Sequence, residues 1–208
     1  MANRCVLRLS ILALMLCGGP AFAASLQTVP EGYRQVALAH GVPPASLYAV
    51  ALTESSKKLS RGVRPWPWTI NVAGKGYRYP TRIAAWSALQ QFMKRHSLKR
   101  IDVGVAQVNL GWNGHRFRST WEAFDPYTSL NVAAAILKEC RGRTDSWLAA
   151  AGCYHHPAGG KPAARYRAIV RRHLAGLSAV PAVAAAPVVL ASARVRTDYV
   201  WVEPEAHD

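Results

Sequence analysis

Apolar residues recur at helical spacing along most of the chain. In the run from Pro44 to Lys57, Leu47, Val50, Ala51 and Glu54 fall on one face of a 3.6-residue repeat. That pattern predicts an amphipathic helix with a carboxylate on its packing face. Pro30 to His40 reads as a helix stopped by Gly41. Thr81 can cap a helix over Arg82 to His96, with Ile83, Trp86, Leu89 and Met93 spaced for one buried face. Asp125 followed by Pro126 is a cap and first-turn signal for a helix reaching Cys140. Thr144 or Asp145 can cap the next helix, which runs to Tyr154. Pro162 to Leu174 places Tyr166, Ile169, Val170 and His173 on one side of a last helix. The period changes between Trp66 and Tyr79. There Trp68 to Val72, then Ala73-Gly-Lys-Gly76, then Tyr77 to Tyr79 read as a β-hairpin with a glycine-rich turn. The expected fold is mainly α with a small β excursion just after Glu54.

The two ends read differently. Arg4 and Arg8 precede the apolar stretch Leu9 to Cys17, and Ala21-Phe-Ala23 is a small-x-small cleavage site. Residues 1–23 are therefore expected to be a secretory signal, and the product to be exported to the periplasm. No other segment is apolar for long enough to suggest a membrane span. Residues 24–177 are expected to form one domain, long enough to bury a core. Residues 178–208, rich in Ala, Val and Pro before turning acidic, read as a flexible tail.

Export changes the reading of the cysteines. Cys5 and Cys17 fall in the signal, leaving Cys140 and Cys153, an even number in an oxidising compartment. A disulfide is expected, worth about 3 kcal/mol for a loop of that size; two buried thiols are the alternative. The formal charge is +15 at pH 7, and loss of Arg4 and Arg8 lowers it by two. Such a chain suits anionic partners such as wall polymer, anionic lipid or nucleic acid. The cations are scattered, and no ordered basic and aromatic array singles out nucleic acid.

Candidate chemistry centres on Glu54. A carboxyl on a packing face loses solvation, which favours its protonated form, and a proton donor near neutral pH is what glycosidic cleavage needs. A carboxylate at a helix end paired with a cation is the alternative. Gly104-Val-Ala-Gln-Val-Asn109 carries amides in an apolar run, as if Gln107 and Asn109 turned into a polar cleft. Tyr154 ends one helix and Tyr166 lies in the next; each alone reads as a core aromatic. Ser55 follows Glu54 and can bond back to its own helix.

Together, Thr53-Glu-Ser55, Gly104 to Asn109, Cys153-Tyr154 and Tyr166 with Val170 resemble, in order, the motifs of soluble lytic transglycosylases of glycoside hydrolase family 23. The resemblance spans Ala45 to Leu174. The hairpin and the cysteine pair look most like the members carried by conjugation and type IV secretion systems and integrating conjugative elements. The resemblance implies a goose-type lysozyme fold and cleavage of the β-1,4 bond between N-acetylmuramic acid and N-acetylglucosamine, leaving 1,6-anhydro ends. It implies Glu54 as acid and then base. Ser55 would position it or touch sugar. Gln107, Asn109 and Tyr154 would line the cleft, with Tyr154 bonded to Glu54 and Tyr166 in support. Trp66, Trp68 and Tyr77 are candidates for stacking on sugars. No metal or cofactor is implied; the implied partners are peptidoglycan strands and components of a transfer apparatus. Val105, Ala106 and Val108 replace larger apolar residues of the family pattern, a change expected to reshape the cleft wall. His155 stands where that pattern has Asn. The nearest other acids are Asp102, which can pair with Arg100 or approach the cleft, Glu122, and Asp125, which has a ready role as a cap. A hydrolase with the same acid, which a second Asp placed for water would favour, and a non-catalytic wall-binding module are the competing readings.

Overall fold

The computed structural model describes residues 26–60 and 62–178. The expected signal segment and nearly all of the expected tail lie outside the described residues.

Among the described residues, seven α-helices and six short strands follow one another. They are α1 (Glu31–Ala39), α2 (Pro44–Ser55), β1 (Ser56–Leu59), β2 (Gly62–Pro65), β3 (Thr69–Val72), β4 (Lys75–Arg78), α3 (Arg82–Met93), β5 (Ile101–Val103), β6 (Val108–Asn109), α4 (Leu110–Asn113), α5 (Pro126–Arg141), α6 (Trp147–His155) and α7 (Gly160–Ala175). The mainly helical expectation with a small β element holds. Among the described residues no single helix is long and apolar enough to cross a membrane.

Helix α2 is the centre of the molecule. Pro44 occupies its first turn, and every residue from Ser46 to Leu52 is buried. The amphipathic reading is therefore corrected: the segment is apolar almost all round, and α1, α5, α6 and α7 all pack against it. Apart from Pro44 and Ala45 at its start, only Thr53 and Glu54 near its C-terminal end are partly exposed.

Capping fixes the surrounding helices. Thr81 Oγ1 accepts from the Ala84 N–H at 3.2 Å, and Asp125 Oδ1 accepts from the Thr128 N–H at 2.8 Å, as the sequence predicts. The cap of α6 is Ser146, not Thr144 or Asp145. The Thr144 hydroxyl instead donates to the Cys140 carbonyl at 3.0 Å. On α3, Ala85 and Leu89 are buried while Ile83 is 63% exposed, so the predicted buried face is narrower than its spacing implies.

The hairpin β3–β4 forms with a tighter turn than predicted. Ala73 and Gly74, both at positive φ, make the whole connection. Two further β elements have no counterpart in the sequence reading. β1 and β2 form a separate hairpin, so α2 stops at Ser55 rather than continuing to Lys57. β5 pairs with β3, and β6 with β5, extending the predicted hairpin to a four-stranded sheet in the order β4-β3-β5-β6. This sheet brings the Gly104 to Asn109 segment against the end of α2.

The Cys140–Cys153 disulfide is present and joins the end of α5 to α6. The ends of the described chain also meet: the Gln27 N–H donates to the Gly176 carbonyl at 2.9 Å, and the Ser178 N–H to the Gln27 carbonyl at 3.0 Å.

Candidate active site

Glu54, Asp102, Gln107, Asn109, Tyr154 and His155 line one open cleft of about 710 Å³. Three strategies of the chain converge to build it.

The first is the end of α2. Glu54 keeps partial exposure to the cleft, but the packed helix behind it strips its carboxyl of water. Desolvation pushes its pKa from 4.5 up to about 8, and the charge of Asp102 adds in the same direction. The Tyr166 hydroxyl, from α7, donates to Glu54 Oε1 at 2.7 Å and opposes part of that rise. No cation is paired with Glu54 among the described residues. The carboxyl is thus predominantly protonated at neutral pH and aligned by a phenol that burial keeps protonated well past that range.

The second is the Gly104 to Asn109 loop. Its backbone carbonyls are bound one after another by side chains. Gln107 Nε2 donates to the Gly104 carbonyl at 2.8 Å, the Ser55 hydroxyl to the Val105 carbonyl at 2.6 Å, and the Tyr154 hydroxyl to the Ala106 carbonyl at 2.7 Å. Gly104 has φ +83, and a Cβ there would meet the Ala123 carbonyl at 2.5 Å. Gln107 itself sits at φ +49, an unfavourable region for a side-chain-bearing residue, held there by its second amide bond to the Thr69 carbonyl at 3.0 Å. With both amide hydrogens so used, its oxygen is the group left for a ligand.

The third is the α6–α7 pair. His155 lies flat on Tyr166, with ring centroids 4.4 Å apart and planes 6° from parallel. Burial, and then the neighbouring His156, push its pKa below the ordinary 6.5, so it is neutral at neutral pH. The stack braces the phenol that serves Glu54.

Several expectations need correcting. Tyr154 does not bond Glu54; Tyr166 does, and Tyr154 fastens the loop instead. Ser55 is fully buried, and its hydroxyl also accepts the Trp66 N–H at 3.2 Å, so it positions the end of α2 and cannot reach a sugar. Trp66 and Trp68 are core residues, 2% and 4% exposed, and Tyr77 packs on Phe92, so the hairpin does not present its tryptophans for stacking. Val105 and Ala106 are likewise fully buried and shape the core rather than the cleft, which Val108 alone of the three lines. Asn109 does line the cleft, but its amide donates to Asp102 Oδ1 at 2.8 Å and to the Lys99 carbonyl at 3.0 Å. Asp102, whose pKa burial raises, is thereby oriented by Asn109 rather than paired with Arg100. Lining residues with no counterpart in the sequence reading include Asn71, Asn113 and Trp112, of which Trp112 is 63% exposed. Its signal was its place three residues past Asn109.

Among the described residues no group of three or more His, Cys, Asp or Glu is gathered to hold a metal ion. The arrangement can deliver a proton from a desolvated carboxyl into an open groove, and take one back once ionised. A scan of the chain against models of protein families matches no family, and a search of curated proteins finds no similar sequence.

Proposed function

We propose that this chain is a peptidoglycan lytic transglycosylase of the goose-type lysozyme class, acting through Glu54. The observation that carries the reading is a desolvated carboxyl on a cleft wall, aligned by the Tyr166 hydroxyl at 2.7 Å and with its pKa raised to about 8. A mainly helical body with a small sheet is compatible with that class.

Glu54 gives its proton to the glycosidic oxygen as the C1–O4 bond breaks, and N-acetylglucosamine leaves with the hydroxyl so formed. The N-acetyl oxygen of the muramyl residue bonds to C1 and carries the positive charge. Ionised Glu54 then takes the proton from the C6 hydroxyl. O6 attacks C1, the acetamido oxygen is released, and the 1,6-anhydro ring closes with Glu54 protonated again. No water is consumed, and one carboxyl serves both steps, unlike the two-carboxylate schemes.

Hydrolysis is a second reading, favoured by one observation: Asp102 lines the same cleft and acts on the charge of Glu54. In it Asp102 would direct a water to C1. Release of soluble fragments from purified peptidoglycan, lost in Glu54→Gln, tests the enzyme reading; wall binding without release by the wild-type protein would make this a binding module. We further assign the activity to local opening of the periplasmic wall for a conjugation or type IV secretion apparatus. Unchanged DNA transfer after deletion of the protein would overturn that assignment.

A further inference from the structure

Trp112 is unusual for a tryptophan. It is 63% exposed, so it contributes little to the core, and the buried member of its short helix is Leu110. Yet the segment that carries it is fixed from three sides. Asn109 Oδ1 accepts from the Gly111 and Trp112 N–H groups at 3.0 and 3.1 Å, while the same side chain's amide holds the Lys99 carbonyl. A Cβ on Gly111 would come within 2.5 Å of the Lys99 nitrogen, so only glycine lets α4 lie this close to Lys99. The Lys99 ammonium sits 4.3 Å from the indole centroid. It lies over the ring, and Trp112 keeps most of its surface exposed beside the cleft it lines. Lys99 takes part in no ion pair among the described residues.

An indole ordered before a ligand arrives costs little further entropy on binding. An exposed indole fits the C–H face of a pyranose, whose hydroxyls stay at the rim. The adjacent unpaired ammonium fits a carboxylate carried by that strand. The other exposed tryptophan among the described residues, Trp121, is 38% exposed under Arg82 and does not line the cleft.

We propose that Trp112 is a sugar-stacking residue of this cleft and that Lys99 beside it selects glycan strands bearing a carboxylate. The inference rests on the wall-glycan activity proposed above. The carboxylate has two sources in the wall, the free lactyl group of a denuded strand and the stem peptide of a substituted one.

The experiment uses the Glu54→Gln protein as parent, so that strands bind without being cut. Titration calorimetry compares Trp112→Ala, Trp112→Phe and Lys99→Gln in that background, with circular dichroism melts confirming the fold. The probes are peptide-substituted strands, denuded strands and chitooligosaccharides of equal length. Loss of the indole should weaken all three about tenfold or more, on the scale of one buried aromatic, and Phe should recover most of it. Lys99→Gln should weaken only carboxylate-bearing strands; an effect on denuded strands identifies the lactyl group, and an effect confined to substituted strands identifies the stem peptide. If Trp112→Ala binds like its parent while the wild-type protein still cuts wall, Trp112 is no subsite and the enzyme reading stands. If Lys99→Gln keeps the parent's preference over chitooligosaccharide, the selection by Lys99 is refuted. If the parent binds no glycan and the wild-type protein releases none, the enzyme reading itself fails and this inference with it.

Discussion

Replacing Glu54 by Gln should stabilise the protein, and by an amount that grows with pH. The native carboxyl holds its proton up to about pH 8, whereas the unfolded chain releases it near 4.5. Between those values the native state binds one proton more than the unfolded state. Unfolding free energy therefore falls by about 1.4 kcal/mol per pH unit as pH rises through the window. Below 4.5 both states are protonated and above 8 both are ionised, so the contribution is flat on either side. The full excursion is about 5 kcal/mol, with about 3 kcal/mol of it reached by pH 7; water entering from the cleft trims these figures but not the sign. Gln binds no proton, so the slope vanishes in the variant. Any change in the bond from Tyr166 adds a constant offset. Groups common to both proteins and remote from Glu54, such as His173, cancel in the difference. Urea unfolding of both proteins, followed by circular dichroism at intervals from pH 4 to 9, measures that difference directly. A rise confined to roughly pH 4.5 to 8 is expected. A difference that stays flat within about 0.5 kcal/mol across the series, or that falls with pH, would refute the desolvated-acid argument, because a normally titrating Glu54 has no such slope.

Tyr166→Phe removes the bond that lowers the pKa of Glu54, so the alkaline limb of the wall-release pH profile should move to higher pH; an unmoved limb would detach Tyr166 from the acid. Reduction of Cys140–Cys153, or its replacement by paired serines, should cost about 3 kcal/mol in denaturant unfolding, and no loss would mean that the helices hold α5 and α6 without it. Gly104→Ala forces a Cβ into the Ala123 carbonyl at positive φ, so about 3 kcal/mol or more should be lost in thermal melts together with wall release. Ser55→Ala takes the donor from the Val105 carbonyl, while the Trp66 N–H keeps the Ser55 backbone carbonyl at 3.0 Å; it should cost about 1–3 kcal/mol, while glycan affinity per folded molecule stays unchanged because Ser55 reaches no ligand.

What the sequence made legible was local. Asp125-Pro126 and Thr81 announce helix starts because capping is settled within four residues. The β3–β4 hairpin is announced by its glycine, and Glu54 by its apolar neighbours. What escaped depends on contacts distant in the chain. The pairing of Ile70 with Val103 joins segments that carry no shared local signal. Lys57 and Lys58 suit a helix as well as the polar strand they occupy. Whether Tyr154 or Tyr166 meets Glu54 is decided by how α6 and α7 cross α2, and helical period says nothing of that crossing. The hairpin tryptophans were misplaced for the same reason: aromatic type marks both cores and sugar platforms, and only the packing of the sheet on the core distinguishes Trp66 from Trp112.

The proposed function turns on whether Glu54 drives glycan cleavage without water. Digestion of purified peptidoglycan in water enriched in oxygen-18, with mass analysis of the released muropeptides, tests it most directly. The released ends should be 1,6-anhydro, one water lighter than reducing ends and free of label, and none should come from Glu54→Gln. Full-mass reducing ends carrying oxygen-18 would contradict it and transfer the chemistry to a hydrolase in which Asp102 guides the water.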